Sequence, residues 1–475
     1  MILIKHFPAL QVLVPFFGAL FAILTFRHIL IARIIAIISV LLSLSLSIYG
    51  FSIINKAPIL YDFGDWHAPI GIEYRLDYLN LPILIYLNCV LLFLLIFCNK
   101  LIADTILKFI VPKRQSLFYA ILLFAHVGYL GIISTNDIFN LYVFIEISSL
   151  STYVLMAQGN NPKSVIGAFD YLMLGTVGAT LILIGIGFLL SATGSLNMTD
   201  ISLVLKSRYD SKIVLIGISF FLIGAILKTA FFPMHFWMMR AYNSSTSIVL
   251  TYLASISSII GIYIILRFIH FTIDYQEIIK ILPNFIKPIA LVTIMLCTYF
   301  AFREKNIKNI IIYSNAAQIG YIFLLLVLPK GETLLLPWLF ADSLNKVAMF
   351  LIISYNETYR MNGISYRALV IFNLICSCGL PISSIFCLKI MIFELLIIEN
   401  KWLEFVVIII SSSIALLYHY KIAKILFWQH SSDHQHNHTL LTSEANYYGL
   451  ISLSILQVIL LIFLDKLLSF YGTFL

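Results

Sequence analysis

The sequence predicts an all-α polytopic membrane protein with about fourteen transmembrane helices, some of them broken. Of its 475 residues, 61% are hydrophobic and 11% are charged, whereas soluble domains carry about 25% charged residues. Apolar stretches of about 20 residues, the length that crosses the hydrocarbon core of a bilayer, recur along the whole chain with short connections. A soluble fold is therefore excluded.

The apolar segments divide evenly between the two halves of the chain. Those of the first half run roughly Pro8 to Phe26, Ile29 to Phe51, Leu79 to Cys98, Leu117 to Ser134, Ile138 to Met156, Val165 to Leu190 and Ile213 to Met239. Those of the second half run roughly Ile248 to Phe268, Pro288 to Phe302, Ile310 to Leu328, Leu334 to Tyr355, Leu369 to Ile398, Leu403 to Leu426 and Tyr447 to Leu468. Pro233 and Pro381 break two of them, because proline removes a helical hydrogen bond. Broken helices are tolerated in membranes where they line a cavity.

The charge balance does not indicate a nucleic-acid partner. The chain has 30 Lys and Arg residues against 22 Asp and Glu residues, a net charge of +8. The basic residues are scattered among the predicted loops, without a dense run or interleaved aromatic residues. The preference of cytoplasmic loops for positive charge explains them better.

No motif predicts a cofactor or a metal ion. All six cysteines lie in apolar segments, and Cys376 and Cys378 lack the spacing of an iron–sulfur or zinc site. No G-x-G-x-x-G or Walker sequence is present. We interpret one polar stretch as a solvated loop, with a metal site as the alternative. Its residues are His430, Asp433, His434, His436 and His438.

Five charged residues lie well inside the predicted membrane segments and carry the functional hypothesis: Glu146, Lys228, Asp342, Lys346 and Lys389. Other charged residues, such as Asp170, Glu394, Asp465 and Lys466, lie nearer the segment ends, where the membrane interface is within reach. A charge near the bilayer centre costs about 3 kcal/mol on insertion scales, so such residues usually face the protein interior and mark an ion path or proton relay. A structural ion pair is the alternative for each of them.

Glu146 and Lys228 are the strongest pair. Glu146 has no compensating charge nearby on its own predicted helix, and Lys228 lies deep in its segment, five residues before Pro233. Burial favours the neutral amine, whereas a nearby carboxylate favours the protonated form. Movement of the pair could therefore switch Lys228 between proton donor and acceptor.

The second half repeats this theme. Asp342 and Lys346 are four residues apart, so they share one helix face and could simply neutralise each other. Lys389 follows Pro381 by eight residues, which places a lysine near a broken helix again and hints at an internal duplication. His235 could relay a proton at neutral pH or be a hydrogen-bonded interfacial residue, and the solitary His126 is predicted to be a satisfied core residue.

These residues resemble a known family. Asn136-Asp-Ile-Phe-Asn-Leu-Tyr-Val-Phe-Ile-Glu146 is similar to the hallmark of the antiporter-like subunits shared by Mrp-type monovalent cation/proton antiporters and the membrane arm of complex I. Lys228-Thr-Ala-Phe-Phe-Pro-Met-His-Phe-Trp237 and Tyr313-Ser-Asn-Ala-Ala-Gln-Ile-Gly-Tyr321 follow in the family's order. Gly64-Asp-Trp66-His-Ala-Pro69-Ile-Gly71, with Asp77, looks like the corresponding segment of the D-type proteins of Mrp antiporters.

The resemblance implies fourteen helices with two inverted five-helix repeats. It implies N-terminal helices 1–3 in residues 1–115, a first repeat in 116–270, a second in 271–428, and a polar histidine-containing loop with the final helix in 429–475. Proton translocation would fall to Glu146, Lys228, His235, Asp342, Lys346 and Lys389. Several positions depart from the pattern: Ile259 replaces a usual lysine before Gly261-Ile-Tyr263, Asp342 stands where a histidine is frequent, and Asp170 replaces a common lysine. Met239-Arg240 and Ser245-Thr246-Ser247 also differ from the family's residues.

We therefore expect a subunit of a monovalent cation/proton antiporter, exchanging protons for Na⁺ or K⁺ across the cell membrane together with other membrane subunits. A proton-translocating membrane subunit of NADH-quinone oxidoreductase or a related redox complex is the alternative. This chain itself carries no redox or hydrolytic site, so an enzymatic role would belong to the complex. Ile259 motivates a third hypothesis, a non-conducting scaffold.

Overall fold

The computed structural model describes residues 6–26, 28–54, 57–111, 114–158, 162–206, 211–273, 276–359, 363–428 and 447–472. The histidine-containing loop predicted from His430 to His438 lies outside these residues. Helices make up almost all of the described chain, apart from one antiparallel hairpin of β1 (Ile59–Asp62) and β2 (Glu73–Leu76), in which Ile59 pairs with Leu76.

The helices are numbered here in chain order. Those of the first part are α1 (Phe7–Leu24), α2 (Ile29–Ile53), α3 (Asn80–Phe97), α4 (Asn99–Phe109), α5 (Leu117–Ser134), α6 (Ile138–Ala157), α7 (Pro162–Thr193), α8 (Met198–Leu205), α9 (Lys212–Lys228) and α10 (Phe236–Ser244). Those of the second part are α11 (Ser247–Arg267), α12 (Gln276–Arg303), α13 (Ile307–Val327), α14 (Glu332–Thr358), α15 (Ile364–Cys378), α16 (Ser384–Ile398), α17 (Trp402–Trp428), α18 (Tyr448–Ile462) and α19 (Leu464–Gly472).

The helices confirm the predicted class of a multi-pass membrane protein. Within the described ranges, 11 helices are long and apolar enough to cross a membrane, or 12 if α18 and α19, which are bent by 55° relative to each other, count as one span. The two remaining predicted segments are the broken ones. Their helical parts are α9 with α10, and α15 with α16, separated by residues 229–235 and 379–383. Each break contains the proline that predicts it, Pro233 or Pro381.

Three features differ from the sequence expectation. Helix α12 begins at Gln276 and contains Pro283 and Pro288, so it starts well before the apolar segment predicted from Pro288 to Phe302. The β1–β2 hairpin and the short helices α4 and α8 fall in stretches predicted as loops. Hydropathy does not detect such elements, because it measures membrane crossing and not local hydrogen bonding.

The chain forms two compact units. The first contains Met1–Thr229 and Ile260–Ile279, and the second contains Ala230–Ile259 and Lys280–Leu475. The division into four stretches that the family resemblance implies stays a prediction.

The first unit has a polar core under its apolar surface. Helix α5 packs against α1 and α6. Gln11 of α1 is fully buried and donates a hydrogen bond to Ser134 Oγ at 3.1 Å. His126, also fully buried, is 3.0 Å from Asn88 Oδ1 through its Nε2 atom. His126 is therefore a satisfied core residue, as predicted.

The second unit is built around α14. This helix is buried along its length and packs against α13, α15, α16, α18 and α19. The late helix α18 is attached by polar contacts: Gln457 donates a hydrogen bond to Asn345 Oδ1 at 2.9 Å, and Asn373 donates one to Ser454 Oγ at 3.1 Å. The first contact joins α18 to α14, the helix that carries Asp342 and Lys346, and the second joins α18 to α15.

Candidate functional site

The start of α6 is fixed by a polar network around Asn136 and Asp137. Asp137 caps the helix, because its side chain accepts the Asn140 backbone N–H at 2.6 Å. Asn136 donates hydrogen bonds to Glu73 Oε1 at 2.6 Å and to Thr199 Oγ1 at 2.9 Å. Burial raises the pKa of the Asp137 carboxyl, and the backbone N–H groups it accepts oppose that shift. The first residues of the hallmark motif thus position α6.

Helix α6 carries Glu146 to the side chain of Lys228. Lys228 is the last residue of α9, and its Nζ donates a hydrogen bond to Ser149 Oγ at 2.9 Å. Glu146 lies three residues before Ser149 on the same face of α6 and acts on Lys228 electrostatically. In the described part of the chain, Glu146 forms no ion pair with Lys228. Glu146 and Lys228, the predicted partners, are therefore neighbours, but the side chain that directly contacts Lys228 is Ser149.

Glycines bring α9 close to α7 beside Lys228. A Cβ added at Gly224 would lie 2.5 Å from the backbone oxygen of Gly178, and one at Gly185 would lie 2.7 Å from that of Gly217. Small residues let membrane helices approach closely. The Lys228 side chain passes next to Gly178, since a Cβ there would lie 3.6 Å from its Cγ.

The first unit also contains a buried ion pair that the sequence did not reveal. Arg267 is fully buried at the end of α11, and its Nη1 is 2.5 Å from Asp77 Oδ2. Arg75 lies 3.5 Å from the same oxygen through Nε. Burial, together with the charge of Arg267, lowers the pKa of Arg75. The position of Arg267 at the end of an apolar segment is also that of a loop residue, so the sequence alone does not distinguish the two.

In the second unit, the corresponding lysine and carboxylate are in direct contact. Asp342 and Lys346 form an ion pair of 2.6 Å on α14, with both side chains 3% exposed. Lys346 Nζ also donates a hydrogen bond to Ser258 Oγ of α11 at 3.0 Å. Ile259, the next residue, is fully buried. The predicted pair is therefore in contact, and the neighbour of Ile259 supplies a hydroxyl group to it.

Lys389 lies at the second helix break. Its Nζ donates a hydrogen bond to the carbonyl of Cys378, the last residue of α15, at 3.3 Å, where the negative end of a helix dipole favours a cation. The ammonium also lies 5.8 Å from the ring centre of Tyr321. His419 of α17 is buried, interacts electrostatically with Lys389 and was not predicted. The sequence did contain one signal for His419: it is a polar residue flanked by apolar residues in a late membrane segment.

His235 precedes α10 in the first break. It is 1% exposed, and its ring lies 4.4 Å from that of Phe236 and 5.4 Å from that of Phe232. Its Nδ1 atom has no hydrogen-bond partner among the described residues. The surroundings are aromatic, so the predicted relay role stays a prediction.

The described ranges contain no group of three or more His, Cys, Asp or Glu residues that could hold a metal ion.

Known proteins share both the sequence pattern and the fold. Residues 135–415 match the family described as NADH:quinone oxidoreductase/Mrp antiporter, TM. NADH-quinone oxidoreductase subunit N of Desulforudis audaxviator is 32% identical over 67% of this chain and 63% of its own length, so the match spans less than two thirds of that relative. A protein of Staphylococcus epidermidis named "Putative antiporter subunit mnhD2" is 26% identical over 89% of this chain and 85% of its own length.

Two solved structures show the same fold. A chain of the membrane-bound sulfane sulfur reductase, an archaeal respiratory membrane complex, superposes with a TM-score of 0.86 at 21% identity, covering 98% of this chain and 96% of that one. A chain of the Mrp complex from Dietzia sp. DQ12-45-1b gives a TM-score of 0.84 at 19% identity, covering 100% of this chain and 97% of that one.

Proposed function

Because this chain belongs to the NADH:quinone oxidoreductase/Mrp antiporter transmembrane family, we propose that it is a membrane subunit of a monovalent cation/proton antiporter. It exchanges protons for Na⁺ or K⁺ in the cell membrane and works within a hetero-oligomer of other membrane subunits. The name of the Staphylococcus epidermidis relative, which matches 89% of this chain, supports an antiporter over the redox alternative.

The observation that carries this proposal is the setting of Lys228. Its ammonium is bonded to a neutral hydroxyl group, while the Glu146 carboxylate lies close enough to act on it electrostatically. Burial destabilises the protonated amine and an approaching carboxylate stabilises it. A small shift of α6 relative to α9 would therefore change how firmly Lys228 holds its proton.

Lys346 and Lys389 provide the corresponding groups of the second unit. Asp342 already contacts Lys346, and the end of α15 binds Lys389. We assign proton binding to Lys228, Lys346 and Lys389, modulation to Glu146 and Asp342, and a contribution at the first break to His235.

The test is proton flux driven by a Na⁺ or K⁺ gradient in vesicles that contain the assembled complex. Lys228→Ala removes the proton-binding amine and Glu146→Gln removes the modulating charge, so each should lower the flux about tenfold or more. Lys212→Ala is the matched control, because Lys212 is an exposed lysine at the other end of the same helix. Normal flux in the Lys228→Ala complex would contradict the proposal and favour a non-conducting scaffold.

A redox-driven complex is the second candidate function. The 32% identity to NADH-quinone oxidoreductase subunit N favours it. In that case this chain would move protons while partner subunits transfer electrons. Absorption spectra of the complex purified from its native membrane decide between the two: flavin or iron–sulfur bands support the redox complex, and cation-dependent flux without such bands supports the antiporter.

A further inference from the structure

Lys389 differs from the other two lysines of the candidate site because it has no carboxylate partner. Lys346 contacts Asp342, and Lys228 has Glu146 close enough to act on it electrostatically. In the part of the chain that the structure describes, Lys389 forms no ion pair, although the residue is only 6% exposed. A buried ammonium group is costly unless other groups stabilise its charge.

The end of α15 supplies one such group. Lys389 Nζ donates a hydrogen bond to the Cys378 carbonyl at 3.3 Å. A Cβ added at Gly379 would lie 3.2 Å from the same Nζ, so the glycine turn leaves room for the ammonium to approach the helix end. An ammonium group has three hydrogens to donate, and this carbonyl takes one of them.

The ring of Tyr321 supplies the second group. Lys389 Nζ lies over this ring, 5.8 Å from its centre, which is within the distance of about 6 Å at which a cation is attracted to an aromatic face. Two contacts hold the ring in place. The Tyr321 hydroxyl is hydrogen-bonded to Ser411 Oγ of α17 at 2.6 Å, and Trp338 of α14 stacks on the ring with 5.4 Å between the ring centres.

The other titratable groups around this ammonium do not replace a carboxylate. The Cys378 thiol and the His419 imidazole interact with it electrostatically, and His419 is bonded through Nδ1 to a backbone carbonyl of its own helix at 2.8 Å. The charged residues Asp342 and Lys346 of α14 bond to each other. Glu394 of α16 is exposed, and α18 contains no charged residue. The aromatic ring is therefore a main source of attraction for the ammonium.

We propose that the Tyr321 ring takes the place of a carboxylate at Lys389 and sets how firmly this lysine holds its proton, an inference that rests on the proposed function. The ring attracts the ammonium through its quadrupole and has no such attraction for the neutral amine. Its face cannot accept the proton itself. Tyr321 thus acts through Lys389 as a positioning residue, and it stabilises the charged state without forming an ion pair.

The test is the pH dependence of cation-driven proton flux in vesicles that contain the assembled complex, normalised to the amount of complex incorporated. Tyr321→Phe keeps the ring and should leave the pH profile nearly unchanged. A trifluorinated phenylalanine at position 321 keeps the shape of the ring but withdraws electron density from its face. Lys389 should then lose its proton more readily, and the fall in flux at high pH should begin about 0.5–1.5 pH units lower. Tyr321→Leu, which removes the ring, should shift the profile at least as far.

Phe323 provides the matched control. It lies two residues further along the same helix, is fully buried, and stacks on Phe231 with 4.0 Å between the ring centres. The same trifluorinated phenylalanine at position 323 should leave the pH profile unchanged, because this ring packs against another ring.

An unchanged profile with the fluorinated ring at position 321 would overturn the inference. An equal shift from position 323 would also overturn it, because packing would then explain the effect, and so would a shift of the same size in Tyr321→Phe, because the hydroxyl would then be the cause. The outcome is separate from that of the proposed function. If Lys228→Ala stops the flux while the fluorinated ring leaves the profile unchanged, only the role of Tyr321 fails; if Lys228→Ala has no effect, the proposed function fails.

Discussion

At the scale of single residues, Lys228 and Lys346 show two arrangements of the same three groups. Lys346 contacts its carboxylate and its serine together, at 2.6 Å and 3.0 Å. Lys228 contacts its serine alone, with Glu146 acting from farther away. A lysine that keeps only a hydroxyl partner can lose its proton more readily than one held by a carboxylate. Under the proposed function, we therefore assign proton release to the arrangement of the first unit and proton retention to that of the second.

The Asp342–Lys346 pair gives a prediction about stability. Asp342→Asn leaves the Lys346 ammonium buried without its counter-charge, so we expect a loss of about 3–5 kcal/mol in the free energy of unfolding. Thermal unfolding of the purified protein in detergent measures it. The double variant Asp342→Asn/Lys346→Met should recover most of the loss, because no uncompensated charge remains.

A more exposed ion pair provides the control. Glu399 lies 3.8 Å from Lys401, and the two side chains are 36% and 22% exposed. Such pairs contribute at most about 1 kcal/mol, so Glu399→Gln should hardly change the unfolding temperature. Equal losses from Asp342→Asn and Glu399→Gln would mean that the buried pair is not the cause.

At the scale of helices, the close contact of α7 and α9 sets the position of Lys228. Gly224 of α9 lies one helical turn before Lys228, and Gly178 of α7 faces both of them. A larger residue at this contact would push the helices apart and move the lysine away from Ser149. The position of Lys228 thus depends on glycines that have no side chain to bind a proton.

Gly224→Ala should lower the free energy of unfolding by about 1–3 kcal/mol, the usual cost of overpacking. A Cβ at 224 would lie 2.5 Å from the Gly178 backbone oxygen, which cannot move aside easily. Gly187→Ala is the matched control, because a Cβ at that glycine of α7 would meet nothing within 4 Å. Unfolding temperatures of the two variants provide the comparison; a similar fall in both would rule out the packing explanation.

The sequence predicts the helices well because membrane crossing needs long apolar runs, and these are visible in one dimension. It also locates both breaks through Pro233 and Pro381. It does not reveal Ser149 or Ser258 as lysine partners, because a serine in an apolar segment most often bonds to its own helix, as Ser148 does. It does not reveal the Arg267–Asp77 pair either, because only the fold brings these two residues together.

At the scale of the whole molecule, the first unit is discontinuous in sequence. Residues 260–279 join it after the chain has entered the second unit. Arg267 bonds to Asp77, and Tyr263 donates a hydrogen bond to the Ile133 carbonyl at 2.8 Å. Phe268 stacks on Phe221 with 3.7 Å between ring centres. A small number of buried contacts therefore holds the returning segment.

Arg267→Met should loosen this segment, because it leaves Asp77 without the buried partner that is closest to it. We expect faster hydrogen–deuterium exchange in peptides covering residues 260–273 and the start of α3, where Asp77 accepts the Asn80 backbone N–H. Peptides from α14 in the second unit serve as the internal control. Unchanged exchange in 260–273 would show that Tyr263 and Phe268 hold the segment without the ion pair.

The placement of the carboxylates also affects how the chain enters the bilayer during synthesis. Asp342 and Lys346 lie on the same helix four residues apart, so they can neutralise each other as soon as α14 coils, before any neighbouring helix arrives. Glu146 and Lys228 belong to different helices, and α6 must be inserted with its carboxylate before α9 has been made. During synthesis, the α6 carboxylate therefore enters the bilayer before Lys228 can offset its charge, whereas the α14 carboxylate enters together with its partner.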